Sequence, residues 1–239
     1  MKIPDRLLVE VQTATPQQVR NRIGPILMQR EGFHYLYEEG VIQYLIPELS
    51  DLEDYHHNAN YHPEGSLYNH YCLAFDTYCA VENRTELGAW ALLFHDVAKS
   101  VVAEWKPKEE FHTYILHEKV GSELFNEKYR NGAIHFSSDE ADALAWVIKE
   151  HNNFCRVAKQ KKSLVIVHHP HYELLCEVAR ADAMEINHDF YLERLEYFAG
   201  LKRAFPEMPE YFLLLIQIPS NHFYNRLLQV VLLPDYKAL

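Results

Sequence analysis

The run Ala89-Trp90-Ala91-Leu92-Leu93-Phe94 is apolar on every face and leads straight into His95-Asp96. A helix that is hydrophobic all round cannot lie on a surface, because each face needs an apolar partner. The segment from about Thr85 to Ala98 is therefore expected to be a central helix wrapped by others. Hydrophobic residues make up 48% of the 239 residues, enough to supply that wrapping. The eight glycines are too few for a turn-rich β-sandwich, so the expected class is all-α.

The wrapping helices announce themselves by caps and periodicity. Thr15-Pro16-Gln17-Gln18 combines an N-cap, a proline at the first helical position and a capping-box glutamine. It opens a helix expected to reach about Arg30. A short helix follows over about 33–39, and an amphipathic piece leads to Pro47. The polar stretch 51–63 reads as a loop. From Ser66 a helix carries Leu67, His70, Tyr71, Ala74, Phe75 and Tyr78 on one face. Pro107 marks a loop, and a helix is expected from about Leu116 to Tyr129. Ser137 to Glu140 form a second capping box, opening a helix that ends near His151. Lys159 to Lys162 reads as a solvated basic loop, and Leu164 to Val167 as β-prone but too short for a sheet. A long helix follows Pro170, and two more are broken at Pro206, Pro209 and Pro219.

Charge narrows the function. With 23 basic and 34 acidic residues the formal net charge is −11, which disfavours an extended nucleic-acid surface, since duplex binding relies on many lysine and arginine contacts. A small phosphorylated substrate is still compatible, because a bound divalent cation reverses the local sign of an acidic pocket. Cys72, Cys79, Cys155 and Cys176 show no CxxC pairing, and no secretory or membrane-spanning segment is evident. The expected location is the cytoplasm.

His95-Asp96 carries little weight as a dipeptide, since 15 histidines make a chance pair unsurprising. A second one, His188-Asp189, sits in a polar stretch and reads as surface. Context sets His95-Asp96 apart. An ionisable pair inside the most apolar helix must be compensated, by a cation or by a basic partner such as Lys99. Other helices repeat the pattern. His70 shares a face with Leu67 and Ala74, Asp182 with Leu175, Val178 and Ala179, His151 with Leu144 and Ile148, and His117 with Val120, Gly121 and Leu124. A lone histidine on an apolar face is more often a hydrogen-bonded core residue than a ligand. An aspartate there is harder to explain without a cation, so Asp182 carries the most weight.

The order His70, His95-Asp96, Asp182 resembles the HD superfamily of metal-dependent phosphohydrolases. From Thr15 to His151 the likeness is closer still. Leu45-Ile-Pro-Glu-Leu49, His62-Pro-Glu-Gly-Ser66, Asn69-His70, Leu92-Leu-Phe-His-Asp-Val-Ala-Lys99 and His117-Glu118 with Gly121 resemble the HD region of bacterial tRNA nucleotidyltransferases and poly(A) polymerases, and Arg180-Ala-Asp182 fits the closing aspartate. The nucleotidyltransferase head, with its Gly-Ser loop and paired aspartates, is missing, so nucleotide addition is not carried over. Beyond Asp189 the likeness stops.

The resemblance implies an HD-domain helical bundle with a C-terminal helical extension: a lead-in over 1–65, a metal-binding core over 66–189 and an extension over 190–239. It implies one or two divalent ions (Mn, Fe, Co, Ni, Zn or Mg), the first held by His70, His95, Asp96 and Asp182. His117 and His151 would hold the second, with Asp96 bridging. Lys99 is expected either to hold a phosphate oxygen or to pair with Asp96. Glu64 is expected at the substrate or the metal's water, or else is a loop carboxylate. His56, His57, His62 and His112 are expected to flank the cleft without binding metal, and Tyr61 and Tyr68 are candidates for stacking on a base. The implied activity is hydrolysis of a nucleotide or other small phosphoester, a phosphomonoester or 2′,3′-cyclic phosphodiester. The alternatives are a dNTP triphosphohydrolase or pyrophosphohydrolase on the same site and a non-catalytic nucleotide-sensing module. A homo-oligomer is compatible with the sequence.

Overall fold

The computed structural model describes residues 6–60, 62–156, 160–182 and 188–207, without the side chains of 153–162 and 183–192. The helices are α1 (Arg6–Thr13), α2 (Pro16–Leu27), α3 (Gly32–Glu38), α4 (Val41–Leu45), α5 (Leu67–Tyr78), α6 (Glu86–Phe94) and α7 (Lys99–Val102). A two-stranded antiparallel hairpin, β1 (Glu104–Lys106) and β2 (Phe111–Thr113), comes next. After it lie α8 (His117–Leu124), a π-helical turn (Phe125–Tyr129), α9 (Ser138–Arg156), α10 (Gln160–Val167), α11 (Tyr172–Asp182) and α12 (His188–Ala204). Among the described residues the fold is all-α apart from that hairpin.

Helix α6 is the axis. Ala89 to Phe94 retain no accessible surface, and α2, α5, α9 and α11 all pack on it. Each large side chain so buried contributes about 1.5–3 kcal/mol. Thr85 caps α6 by accepting from the Gly88 amide at 3.0 Å. The capping boxes act as their sequences require: Thr15 and Gln18 bond reciprocally, as do Ser137 and Glu140. Phe33 stacks on Tyr71 and Phe75, with ring centroids 5.0 and 5.3 Å apart, which fixes α3 against α5.

Several elements differ from the sequence expectations. Helix α1 precedes the first expected helix. The central helix stops at Phe94, because the chain tightens into i→i+3 turns there, with Val97 N bonding to Phe94 O and Lys99 N to Asp96 O. The 104–113 segment forms a hairpin in which Trp105 faces His112, a cross-strand pairing invisible to local periodicity. Lys161 and Lys162 lie in α10 rather than in a loop, and the β-prone Leu164 to Val167 are helical too, since Leu164, Ile166 and Val167 are buried in the core. Tertiary burial overrides propensity at such positions. Helix α9 runs on past His151 to Arg156. Residues 208–239, including Pro209 and Pro219, lie outside the described residues, as do Tyr61, Lys159 and the side chains of His188 and Asp189.

Close approach around α6 gives the first expected outcome. A Cβ on Gly88 would sit 2.1 Å from the Tyr78 hydroxyl and 2.3 Å from Glu177 Oε2. Those two groups are themselves locked together, for Glu177 accepts from the Tyr78 hydroxyl and from the amide and hydroxyl of Thr85. Gly88→Ala is therefore expected to lower stability by about 1–3 kcal/mol in urea unfolding.

Arg20 ties α2 to the start of α9 through two bonds to Glu140, at 2.7 and 2.6 Å. This pairing holds the Glu140 carboxyl down at about 2, against 4.5 ordinarily. A depressed carboxyl pKa stabilises the fold above the unfolded value and loses that contribution as pH falls through the folded one. Glu140→Gln should thus cost about 1–2 kcal/mol at pH 7. Its deficit against wild type should close as pH drops from about 4.5 towards 2.

Candidate metal centre

Four helices and the turn after α6 deliver the site. His70 comes from the buried face of α5, His95 and Asp96 from the turn that ends α6, His117 from the first residue of α8, His151 from α9, and Asp182 from the last residue of α11. All of these are buried except Asp182, whose side chain is 15% exposed.

The six side chains fall into two groups that share Asp96. His70, His95, Asp96 and Asp182 form the first, and Asp96, His117 and His151 the second. His70 Nε2 lies 3.3 Å from Asp96 Oδ2 and 3.2 Å from Asp182 Oδ1. His95 Nε2 is 3.1 and 3.4 Å from the same two oxygens. The other oxygen of Asp96 faces the second group, 3.1 Å from His117 Nε2 and 3.5 Å from His151 Nε2.

Each imidazole is held from behind. His95 Nδ1 is 2.6 Å from Leu92 O, His117 Nδ1 is 2.7 Å from Tyr114 O, and His151 Nδ1 is 2.7 Å from Ile148 O. In all three the acceptor is the carbonyl three residues back. A carbonyl only accepts, so Nδ1 carries the proton and donates. His70 does the same with a carboxylate, its Nδ1 lying 3.2 Å from Glu64 Oε1. With Nδ1 engaged, every ring turns Nε2 inward, and a neutral ring presents a lone pair there. Such anchoring of the remote ring nitrogen is how metal-ligating histidines are oriented.

The residues present fit a cation. Inward-facing Nε2 atoms approach within 3.3 Å of one another, His70 to His95 and His117 to His151. Neither oxygen of the fully buried Asp96 carboxylate accepts a hydrogen bond of good geometry. Acceptors crowded together without donors are costly unless positive charge lies among them. Protons fill that need when nothing else does. Burial opposes charge on His70, yet its bonds with Asp182, Asp96 and Glu64 prevail and push it up to about 10. His95 is pushed up to about 9 in the same way, against its burial, by Asp96 and Asp182. Burial would raise both aspartates, but His95 and Lys99 hold Asp96, and His70 and His95 hold Asp182, well below the usual carboxylate range.

Lys99 is buried, with its ammonium 2.6 Å from Asp96 Oδ2 and 5.4 Å from the centre of the Tyr114 ring. Glu64 touches the opposite edge of His70 from Asp96, and its Oε1 also meets His62 Nδ1 at 2.9 Å. Tyr68 is turned to His34, at 2.5 Å, and packs on Tyr37. His56 and His112 join the loop before α5 to β2, with His56 N donating to His112 Nδ1.

One neighbour escaped the sequence reading. Asn152 places its amide nitrogen 3.0 Å from His117 Nε2 and 3.3 Å from His151 Nε2. Its position directly after His151 was the only available signal. His57, expected to flank the cleft, is buried like the ligand candidates, although it sits in a polar run with no apolar periodicity to flag it.

Comparison with known proteins agrees with this geometry. The HD domain family model matches residues 61–187, more than half of the chain. Similar proteins include the multifunctional CCA protein of Halorhodospira halophila, 30% identical over 115 residues, covering 47% of this chain and 26% of that protein. The multifunctional CCA protein of Hahella chejuensis is 30% identical over 118 residues, covering 48% and 27%. That of Cupriavidus pinatubonensis is 28% identical over 151 residues, covering 62% and 34%. The chain thus spans about a third or less of the length of these relatives. A helical bundle closing histidines and aspartates around a buried point, with a family match across that region, leads to one conclusion: this chain belongs to the HD domain family.

Proposed function

We propose that the chain is a metal-dependent phosphohydrolase that attacks a nucleotide or other small phosphoester with water. The observation that carries this reading is the convergence of four Nδ1-anchored imidazoles and two carboxylates on one buried point. HD domains are generally metal-dependent hydrolases, and these donors suit a divalent transition ion or magnesium.

His70, His95, Asp96 and Asp182 would hold one ion, and Asp96, His117 and His151 a second. A bound divalent cation supplies Lewis acidity to phosphoryl oxygens and makes water acidic enough to ionise near neutral pH. The protein's groups then have separate tasks. Asp96 is kept ionised, so it acts through its charge and through two oxygens that face different groups, not as a proton acceptor. Glu64 fixes the orientation of His70. Lys99 steadies Asp96 and supplies a buried positive charge for a phosphoryl oxygen, worth on the order of 10²-fold in rate for a preorganised donor. Among the described residues no helix is long and apolar enough to cross a membrane. The net charge of −11 favours a small substrate over a long nucleic acid. The relatives share only part of their length with this chain, so nucleotide addition is not proposed.

Asp96→Ala and Asp182→Ala are each expected to retain less metal than wild type, by elemental analysis, and to lose hydrolysis. Asp139→Ala, at the exposed start of α9, should lose neither. Lys99→Gln should keep its metal while its turnover number falls on the order of 10²-fold. The reaction itself is tested with nucleoside mono-, di- and triphosphates and 2′,3′-cyclic nucleotides in Mn, Co, Ni and Mg. Release of phosphate from monophosphates or ring opening of cyclic nucleotides is the expected result. Tripolyphosphate from dNTPs would instead establish a triphosphohydrolase, and stoichiometric metal without any turnover would establish a sensing module.

A further inference from the structure

The structure assigns a further cation site to His57, His62 and Glu64, on the outer side of His70 and distinct from the two groups that share Asp96. One ligand atom from each of these residues, and from His70, lies within 4.8 Å of the others. His62 Nδ1 is 2.9 Å and His57 Nδ1 4.0 Å from Glu64 Oε1. The rings of His57 and His62 meet edge-on with centroids 4.3 Å apart.

His57 is the observation that asks for a ligand. Its side chain is 1% exposed, and neither ring nitrogen has a hydrogen-bond partner. Buried polar atoms are ordinarily hydrogen-bonded or ligated, and leaving both ring nitrogens unsatisfied is costly, so a ligand for this ring is expected beside it. As a neutral ring it offers a lone pair to such a group.

The loop that bears these residues is closed in advance. His56 bridges to Ser66, His57 N donates to Gly65 O at 2.7 Å, His62 N to Asn58 O and Gly65 N to His62 O. Gly65 takes φ +85° at the turn, a conformation that costs glycine nothing. Asn69 on α5 donates to Glu64 O at 2.8 Å. The side chains thus stand on a framework that needs no ion for its backbone.

A cation suits this set better than an anion, because the Glu64 carboxylate would repel phosphate. Two imidazoles and one carboxylate select a first-row transition ion such as Zn or Co over Mg or Ca. His70 is not counted as a ligand, since its Nδ1 proton is committed to Glu64. That shared carboxylate makes Glu64 the link between the outer ion and the orientation of His70.

Cobalt(II) titration of chelator-treated protein, with bound metal measured after desalting, tests the assignment. His62 is partly exposed, so His62→Ala leaves the core intact. It should bind one equivalent less than wild type. Asp96→Asn disables the groups that share Asp96 and should still take up one equivalent, which is lost when His57→Asn and His62→Ala are added. Equal uptake in either comparison overturns the assignment and leaves His57 satisfied by a trapped water. Because Asp96→Asn removes the inner groups, loss of the phosphohydrolase reading and loss of the outer site give different results.

Discussion

The structure is organised around one buried negative charge. Asp96 sits just after the fully buried apolar run Ala89 to Phe94, where an uncompensated carboxylate costs several kcal/mol. Lys99 at 2.6 Å meets part of that demand. The remainder is spread over four imidazoles reached from α5, α8, α9 and the same turn. The packing of those helices and the placement of charge are thus one problem, and moving any of them would strand part of the carboxylate's environment.

A single local device solves the orientation of three rings. In a regular helix a histidine side chain has several rotamers and two tautomers available. Here His95, His117 and His151 each bond through Nδ1 to the carbonyl three residues back, which removes both freedoms at once. Leu116, with φ +64°, begins α8 abruptly, and Tyr114 O serves His117. His70 bonds through Nδ1 to Glu64 instead, which brings a loop carboxylate into the site.

The overall acidity and the local need for a cation are compatible because they act over different distances. Screening confines surface charge to about a Debye length, some 8–10 Å, whereas the buried carboxylates interact with their neighbours at 2.6 to 3.5 Å. An acidic chain can therefore contain a centre that concentrates positive charge, as the proposed activity on a small phosphoester requires.

Much of this was legible in the sequence, for reasons of pattern. The apolar run Ala89 to Phe94 demanded a central helix, both capping boxes marked true helix starts, and the facing of His70 and Asp182 followed from helical spacing alone. Periodicity tells which way a side chain points on its own helix. It cannot tell what waits there. That Asp96 turns one oxygen to His70 and the other to His117 and His151 depends on contacts between residues far apart in the chain. The burial of His57 in its loop and the Trp105–His112 pairing in the hairpin were hidden for the same reason: neither lies on a repeating face, so only the folded chain, by bringing remote segments together, decided their surroundings.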